Sequence, residues 1–323
     1  MADTKISGFS DGSPAQGTDE YVIARGGANY SLTLAEILTA AEFPTYILLD
    51  DQSSDPSAPA SGLKLYNRPL ANRRLPRFIG PSGLDSALQP AFFANNVTMW
   101  LPGTGATAAI NFGTSWTVAT TQATPAIANT NWMTQMKRAT FTTTTTAANA
   151  SGARTTSQIC WIGSSAGQGG FFFAARLGIL TYSSTMRIFC GLNTSANAIS
   201  SDPSSVANSC GLSKDTGETV WQMLTVSSGG TSQKTSSGRT TAAAGTTDVF
   251  DFYMFCKPND TTIYFRFTDV TTSTNLVNNV GQSTQIPANN VMFYAHCECQ
   301  NVAGGGGSAV AIFLNKLYIE SDT

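Results

Sequence analysis

Charged side chains are scarce in this chain. Only 12% of its 323 residues are Asp, Glu, Lys or Arg, against roughly 25% in an average soluble protein. The net charge is −2, without the clustered Lys and Arg that nucleic acid requires. The one basic cluster, Arg68, Arg73, Arg74 and Arg77, lacks the interleaved aromatics of a single-strand binder. No nucleic-acid partner is expected. Histidine is nearly missing: His296 is the only one, which removes most His-based mechanisms. No run reaches the about 18 apolar residues of a membrane span, so no membrane insertion is expected. Met1-Ala2-Asp3-Thr4 lacks the basic start and apolar core of an export signal. A reducing compartment is then expected, with Cys160, Cys190, Cys210, Cys256, Cys297 and Cys299 as free buried thiols.

Obvious chemistry is also missing. No CxxC pair occurs. Cys297 and Cys299 share one face of a strand, but His296 between them points to the other, so no metal site is assigned. Glycoside cleavage needs two carboxylates roughly 5 to 10 Å apart. Asp248 and Asp251 are three apart in sequence and face opposite ways on a strand. No strand carries an alternating acidic triplet, although a pair drawn from different strands stays open. Gly163–Gly170 has neither the lysine nor the spacing of a phosphate loop and reads as a flexible hairpin. Asn259 and Asp260 could approach calcium, but their spacing is not distinctive. No catalytic residue and no cofactor is assigned.

Thr, Ser, Asn, Gly and Ala take the place of charge, and threonine favours strands. From residue 104 onward, short apolar runs alternate with turn residues, giving roughly a dozen strands and no credible helix. The clearest pair is Val249–Cys256 and Ile263–Thr268, joined by Lys257–Thr262. In the second strand Ile263, Phe265 and Phe267 share one face, as in a half-buried antiparallel strand. The first is apolar on both faces, as in a central strand. The expected fold is mainly β: an antiparallel β-sandwich or jelly roll over 104–323. Trp100, Trp116 and Trp132 read mostly as packing residues, and no receptor-binding residue is named.

The first 45 residues form a separate unit. Thr4-Lys5-Ile6-Ser7 is followed by Gly17-Thr18-Asp19-Glu20, then the strand Tyr21–Ala24. Gly26-Gly27 permits a tight turn. Ser31–Leu38 reads as a helix, with Thr33 and Glu36 at capping-box spacing. Leu34, Ile37, Leu38 and Ala41 fall on one helical face, and Pro44 ends it. A unit of roughly 40 residues rarely buries enough apolar surface to stand alone, so it needs a partner surface or copies of itself. This order resembles the small N-terminal module of bacteriophage tail fibres and related virion proteins, which attaches an appendage to the particle. The resemblance implies a virion anchor containing Ile6, Thr18, Asp19, Gly26, Gly27, Thr33 and Ile37. Its partners would be phage tail or portal-adaptor proteins.

Residues 46–62, with two prolines and many small polar residues, read as an extended, mobile linker. In 63–103, Leu63-Lys64-Leu65-Tyr66 precedes the arginine cluster. Gly80-Pro81-Ser82-Gly83-Leu84-Asp85-Ser86-Ala87-Leu88-Gln89-Pro90 comes next, and Asn95–Gly103 contains Trp100. This stretch resembles the connector of many phage tail proteins, and it follows the anchor in the expected order. Its apolar groups have no regular period, and burial against neighbouring copies would stabilise them. The expected oligomer contacts are Leu65, Tyr66, Arg68, Arg73, Leu84, Leu88 and Trp100. The arginines are expected either as solvated groups or in contact with an acidic partner, such as a neighbouring subunit's Asp50, Asp51 and Asp55. The strand order of the sandwich, closing on Leu314–Glu320, resembles concanavalin-like lectin domains.

Together these resemblances imply a non-enzymatic phage structural protein: a tail fibre, homotrimeric, assembled in the host cytoplasm and located in the virion tail. Host surface polysaccharide is a conceivable target. A capsid decoration or head fibre protein, and a glycan-cleaving tailspike, are the alternatives.

Overall fold

The computed structural model describes residues 20–25, 28–33, 48–57, 59–62, 64–79, 96–103, 110–119, 121–165, 168–241, 247–302 and 309–321. The chain divides into two compact units, Met1–Asp50 and Asp51–Thr323.

In the first unit, β1 (Glu20–Arg25) pairs antiparallel with β2 (Ala28–Thr33), from Glu20 opposite Thr33 to Arg25 opposite Ala28. The strand at Tyr21–Ala24 is therefore present. The first three residues of the helix expected over 31–38 are strand instead: Ser31, Leu32 and Thr33 belong to β2. Asn29-Tyr30-Ser31-Leu32-Thr33 alternates polar and apolar, and that period of two continues the hairpin through Thr33. The remainder of the expected helix, with Glu36 and Ile37, lies outside the described residues.

The second unit opens with a hairpin of β3 (Lys64–Leu70) and β4 (Arg73–Ile79). The strands that follow are β5 (Asn96–Leu101), β6 (Ile110–Phe112), β7 (Trp116–Ala119), β8 (Thr121–Ala123), β9 (Ala139–Thr142), β10 (Ala150–Thr155) and β11 (Cys160–Trp161). Next come β12 (Phe171–Thr181), β13 (Arg187–Asn193), β14 (Ser209–Lys214), β15 (Val220–Val226) and β16 (Ser232–Thr240). The last are β17 (Phe250–Cys256), β18 (Ile263–Asp269), β19 (Thr274–Gln282), β20 (Met292–Gln300) and β21 (Ala311–Ser321). They form two antiparallel sheets. The first runs β16-β15-β14-β13-β20-β10-β7, with β11 on β20. The second runs β19-β18-β17-β12-β21-β5-β6, with β9 on β21 and β8 on β9.

The two sheets share one apolar core, which makes the unit an antiparallel β-sandwich. Trp221 and Met223 from the first sheet meet Phe250, Phe252, Phe265 and Phe267 from the second. The Trp221 ring lies 5.9 Å from Phe250 and 6.1 Å from Phe267. Each such burial stabilises by about 1.5–3 kcal/mol. Ile263, Phe265 and Phe267 do point inward together, and β17 is central, between β18 and β12. β5 hydrogen-bonds to β21, with Trp100 opposite Leu317. A strand from the stretch read as connector is thus part of the sandwich.

The glycine loop after β11 is hydrogen-bonded in its described part. Gly170 N–H donates toward the Trp161 and Ile162 carbonyls, and Asn259 N–H also donates to Ile162. Gly163 has φ +102°, and a Cβ there would sit 1.8 Å from the Gln168 carbonyl oxygen, so only glycine fits.

Candidate functional site

The β3–β4 hairpin is built for close packing. Ala71 and Asn72 both have positive φ, 49° and 58°, the left-handed pair that a two-residue hairpin turn requires. Strand alternation then places Tyr66, Arg68, Arg73 and Arg77 on one face and Arg74 on the other. Arg73 holds Glu320 on β21 with both terminal nitrogens, Nη1 at 2.7 Å. Its guanidinium lies 4.8 Å from the Phe172 ring centroid and 6.0 Å from that of Phe255. The hairpin therefore sits on the outer face of the second sheet.

The segment before the hairpin is strapped to it, contrary to the mobile path expected of 46–62. Gln52 N–H donates to the Asn67 carbonyl at 2.9 Å. Asp51 accepts from Asn67 and pairs with Arg74 at 3.1 Å. Asp55 accepts from Tyr66 at 3.0 Å, from Arg68, and from Arg77 at 3.4 Å. Asp51 and Asp55, read as acids a neighbouring subunit would bring, meet these arginines within one chain. Burial alone would raise the Asp55 carboxyl, but the bonds from Arg68 and Tyr66 reverse the sign and hold it below its usual value.

Between the hairpin and β18 with the edge strand β19 lies a cleft of about 340 Å³. Arg68, Arg266, Asn275, Asn278, Asn279 and Asp51 are among its lining residues. A bulge shapes its floor. Phe265 pairs with Val280 and Phe267 with Val277, so Asn278 and Asn279 together face the single residue Arg266. Asn279 adopts φ +55°, and such bulges re-aim side chains. Arg266 is only 9% exposed. Its Nη2 donates to Asn275 Oδ1 at 3.0 Å, while its Nε and the buried Asn279 Oδ1 find no partner among the described residues. Burial, and then the Arg68 charge, depress the Arg266 guanidinium below its ordinary value.

The outer face of the first sheet carries a polar strip on β20: His296, Glu298 and Gln300, all nearly fully buried. Residues 194–208 close over it. His296 Nε2 meets the Ser195 carbonyl at 2.9 Å and Nδ1 meets Glu298 at 3.1 Å. Ile199 N–H donates to Glu298 at 3.0 Å, and Arg187 bridges Gln300 and Asp202 at 2.8 and 2.7 Å. With both ring nitrogens engaged and the ring buried, no substrate atom reaches His296 in this conformation. Asp248 pairs with Arg239, and Asp251 is held by Arg176 through two bonds of 2.7 Å. Each of these carboxylates is committed to a guanidinium. All six cysteines are free and buried; burial pushes the Cys256 thiol up to about 12.

Of the residues singled out from sequence, Ile6, Thr18, Asp19, Gly26, Gly27, Ile37, Leu84 and Leu88 lie outside the described residues. Tyr66, Arg68 and Arg73 come together on the hairpin face, with Tyr66 buried and Leu65 exposed. Trp100 lies in the core against Phe141, at 5.8 Å between rings, and not on a surface open to another copy. Trp116 is buried and Trp132 exposed. The sequence reading missed Arg266 and the Asn278-Asn279 bulge. An Asn-Asn pair inside a polar run was the one available signal.

No family model matches this chain, and no curated protein matches it in sequence. Among solved structures, it is similar to a protein of unknown function from Shewanella oneidensis MR-1, at 10% identity and TM-score 0.47, covering 70% of this chain and 86% of that one. It is also similar to peanut lectin, at 10% identity and TM-score 0.41, covering 70% and 97%. A third likeness is to the CBM2 module of the evolved Dit of Lactobacillus casei BL23 phage J-1, at 15% identity and TM-score 0.38, covering 71% and 91%. All three TM-scores lie below 0.5; the sandwich is established by its own strand pairing.

Proposed function

We propose that this chain is a non-enzymatic bacteriophage structural protein, a tail fibre that docks on the virion through residues 1–45 and presents its β-sandwich to the host surface. The observation that carries this reading is the order of parts. A small N-terminal unit ends at Asp50, a tail-protein-like connector follows, and its hairpin is clamped onto a lectin-like sandwich through Arg73 and Glu320. A short anchor that cannot stand alone fits a protein held by a larger assembly. The assembly is a homotrimer, built in the host cytoplasm. A non-enzymatic role is supported by the sealed His296 and by the commitment of Asp248 and Asp251 to arginines. Deleting residues 1–45 tests the docking role. The truncated chain is expected to stay folded and soluble but to be missing from purified particles on immunoblot. Normal incorporation would overturn the anchor.

A further inference from the structure

We propose that the cleft between the hairpin and the bulged strand β19 binds a carboxylate-bearing sugar of an acidic glycan. As a statement about host recognition this rests on the attachment reading above; as a statement about ligand chemistry it rests on the cleft.

The charge around the cleft is lopsided. The lining carries Arg68 and Arg266 against the one carboxylate of Asp51, in a chain whose overall charge is −2. Arg266 is the less satisfied of the two. Nine-tenths buried, it has one Nη2 bond and an Nε with no partner among the described residues. A guanidinium offers Nε–H and Nη2–H side by side, the fork that fits a carboxylate. A buried donor without a partner costs about 1–3 kcal/mol, and a carboxylate toward which the guanidinium turns removes that cost.

The rest of the lining suits a sugar ring. Asn275, Asn278 and Asn279 bring amides that donate and accept, as sugar hydroxyls do. Asn279 Oδ1 is a buried acceptor in want of a donor. The bulge that turns Asn278 and Asn279 toward Arg266 has no role in ladder pairing. A volume of about 340 Å³ lies at the small end of ligand sites, about 300–1,000 Å³. Asp51 on the rim disfavours a dianion more than a monoanion, which favours a carboxylate over a phosphate monoester.

The test is titration calorimetry on the full chain with glucuronic-acid oligomers, carboxyl-reduced oligomers and inorganic phosphate. Binding of the uronate oligomer is expected, weakening as salt rises, with at least a tenfold loss on carboxyl reduction. Arg266→Gln is expected to weaken uronate binding at least tenfold with circular dichroism unchanged. Should that variant misfold, Asn279→Gly, which keeps the positive φ, is expected to weaken binding severalfold. Equal binding of phosphate, equal binding of the reduced oligomer, or affinity untouched by a folded variant would each overturn the cleft assignment. So would no binding of the uronate. None of these outcomes bears on particle incorporation of the chain lacking residues 1–45, so the two readings can fail separately.

Discussion

Asp55 gathers three donors, Tyr66, Arg68 and Arg77, and its carboxyl is held below the ordinary 3.8. A folded value below the unfolded one means that the ionised form is favoured by folding. The contribution is present above about pH 4 and is lost as pH falls through the folded value. With 42% of the side chain exposed, solvent screening keeps it small, about 1 kcal/mol or less. Asp55→Asn is therefore expected to lower the urea midpoint slightly at pH 7, with the gap to wild type closing in acid. A gap that widens in acid would contradict this. Arg266 lies at the other extreme of burial, and its unused donor was invisible in the sequence. Tyr264-Arg266-Thr268 reads there as an ordinary outward face, and only the opposing bulge makes that face part of a cleft.

At the scale of elements, the hairpin is tied to the sheet under it through Arg73 and Glu320. Glu320 is 3% exposed and Arg73 18%, so the pair is mostly withdrawn from water and its bonds are charge-assisted. Arg73→Ala is expected to cost about 1.5–3 kcal/mol, read from urea unfolding. Arg73→Lys should recover only part, since an ammonium cannot form the two-pronged grip. An unchanged midpoint for the alanine variant would show that the hairpin does not lean on Glu320. β18 was legible in sequence by its alternation and β17 by a run apolar on both faces, on either side of a clear turn. β14, β16 and β19 were not. Ser209–Lys214 is buried throughout, yet its Ser, Gly and Lys residues look like loop. Ser232–Thr240 is an edge strand of nearly all polar residues. Such strands are fixed by their neighbours' hydrogen bonds rather than by an apolar stripe. Ser31–Thr33, read as the start of a helix, are strand for a related reason: the period-two pattern of 29–33 pairs with β1.

Across the whole molecule, low charge and abundant threonine led correctly to a β-sandwich. The order of anchor, connector and sandwich led to the proposal of a virion appendage. The sandwich borrows β5 from the connector stretch, so removing residues up to 103 would open the core at Trp100. Self-association is better measured on the intact chain, which as a homotrimer is expected to sediment at three times 34.0 kDa. The cleft could not be read along the chain because Arg68 and Arg266 lie about 200 residues apart in sequence and meet only once the hairpin has folded onto the second sheet. The most direct measurement of the central claim is an electron cryomicroscopy reconstruction of the intact particle carrying this protein. The expected result is a trimeric tail appendage with residues 1–45 at its base and the sandwich outward. Absence of the chain from the particle, or an outward N-terminus with the sandwich buried in the virion, would contradict the account.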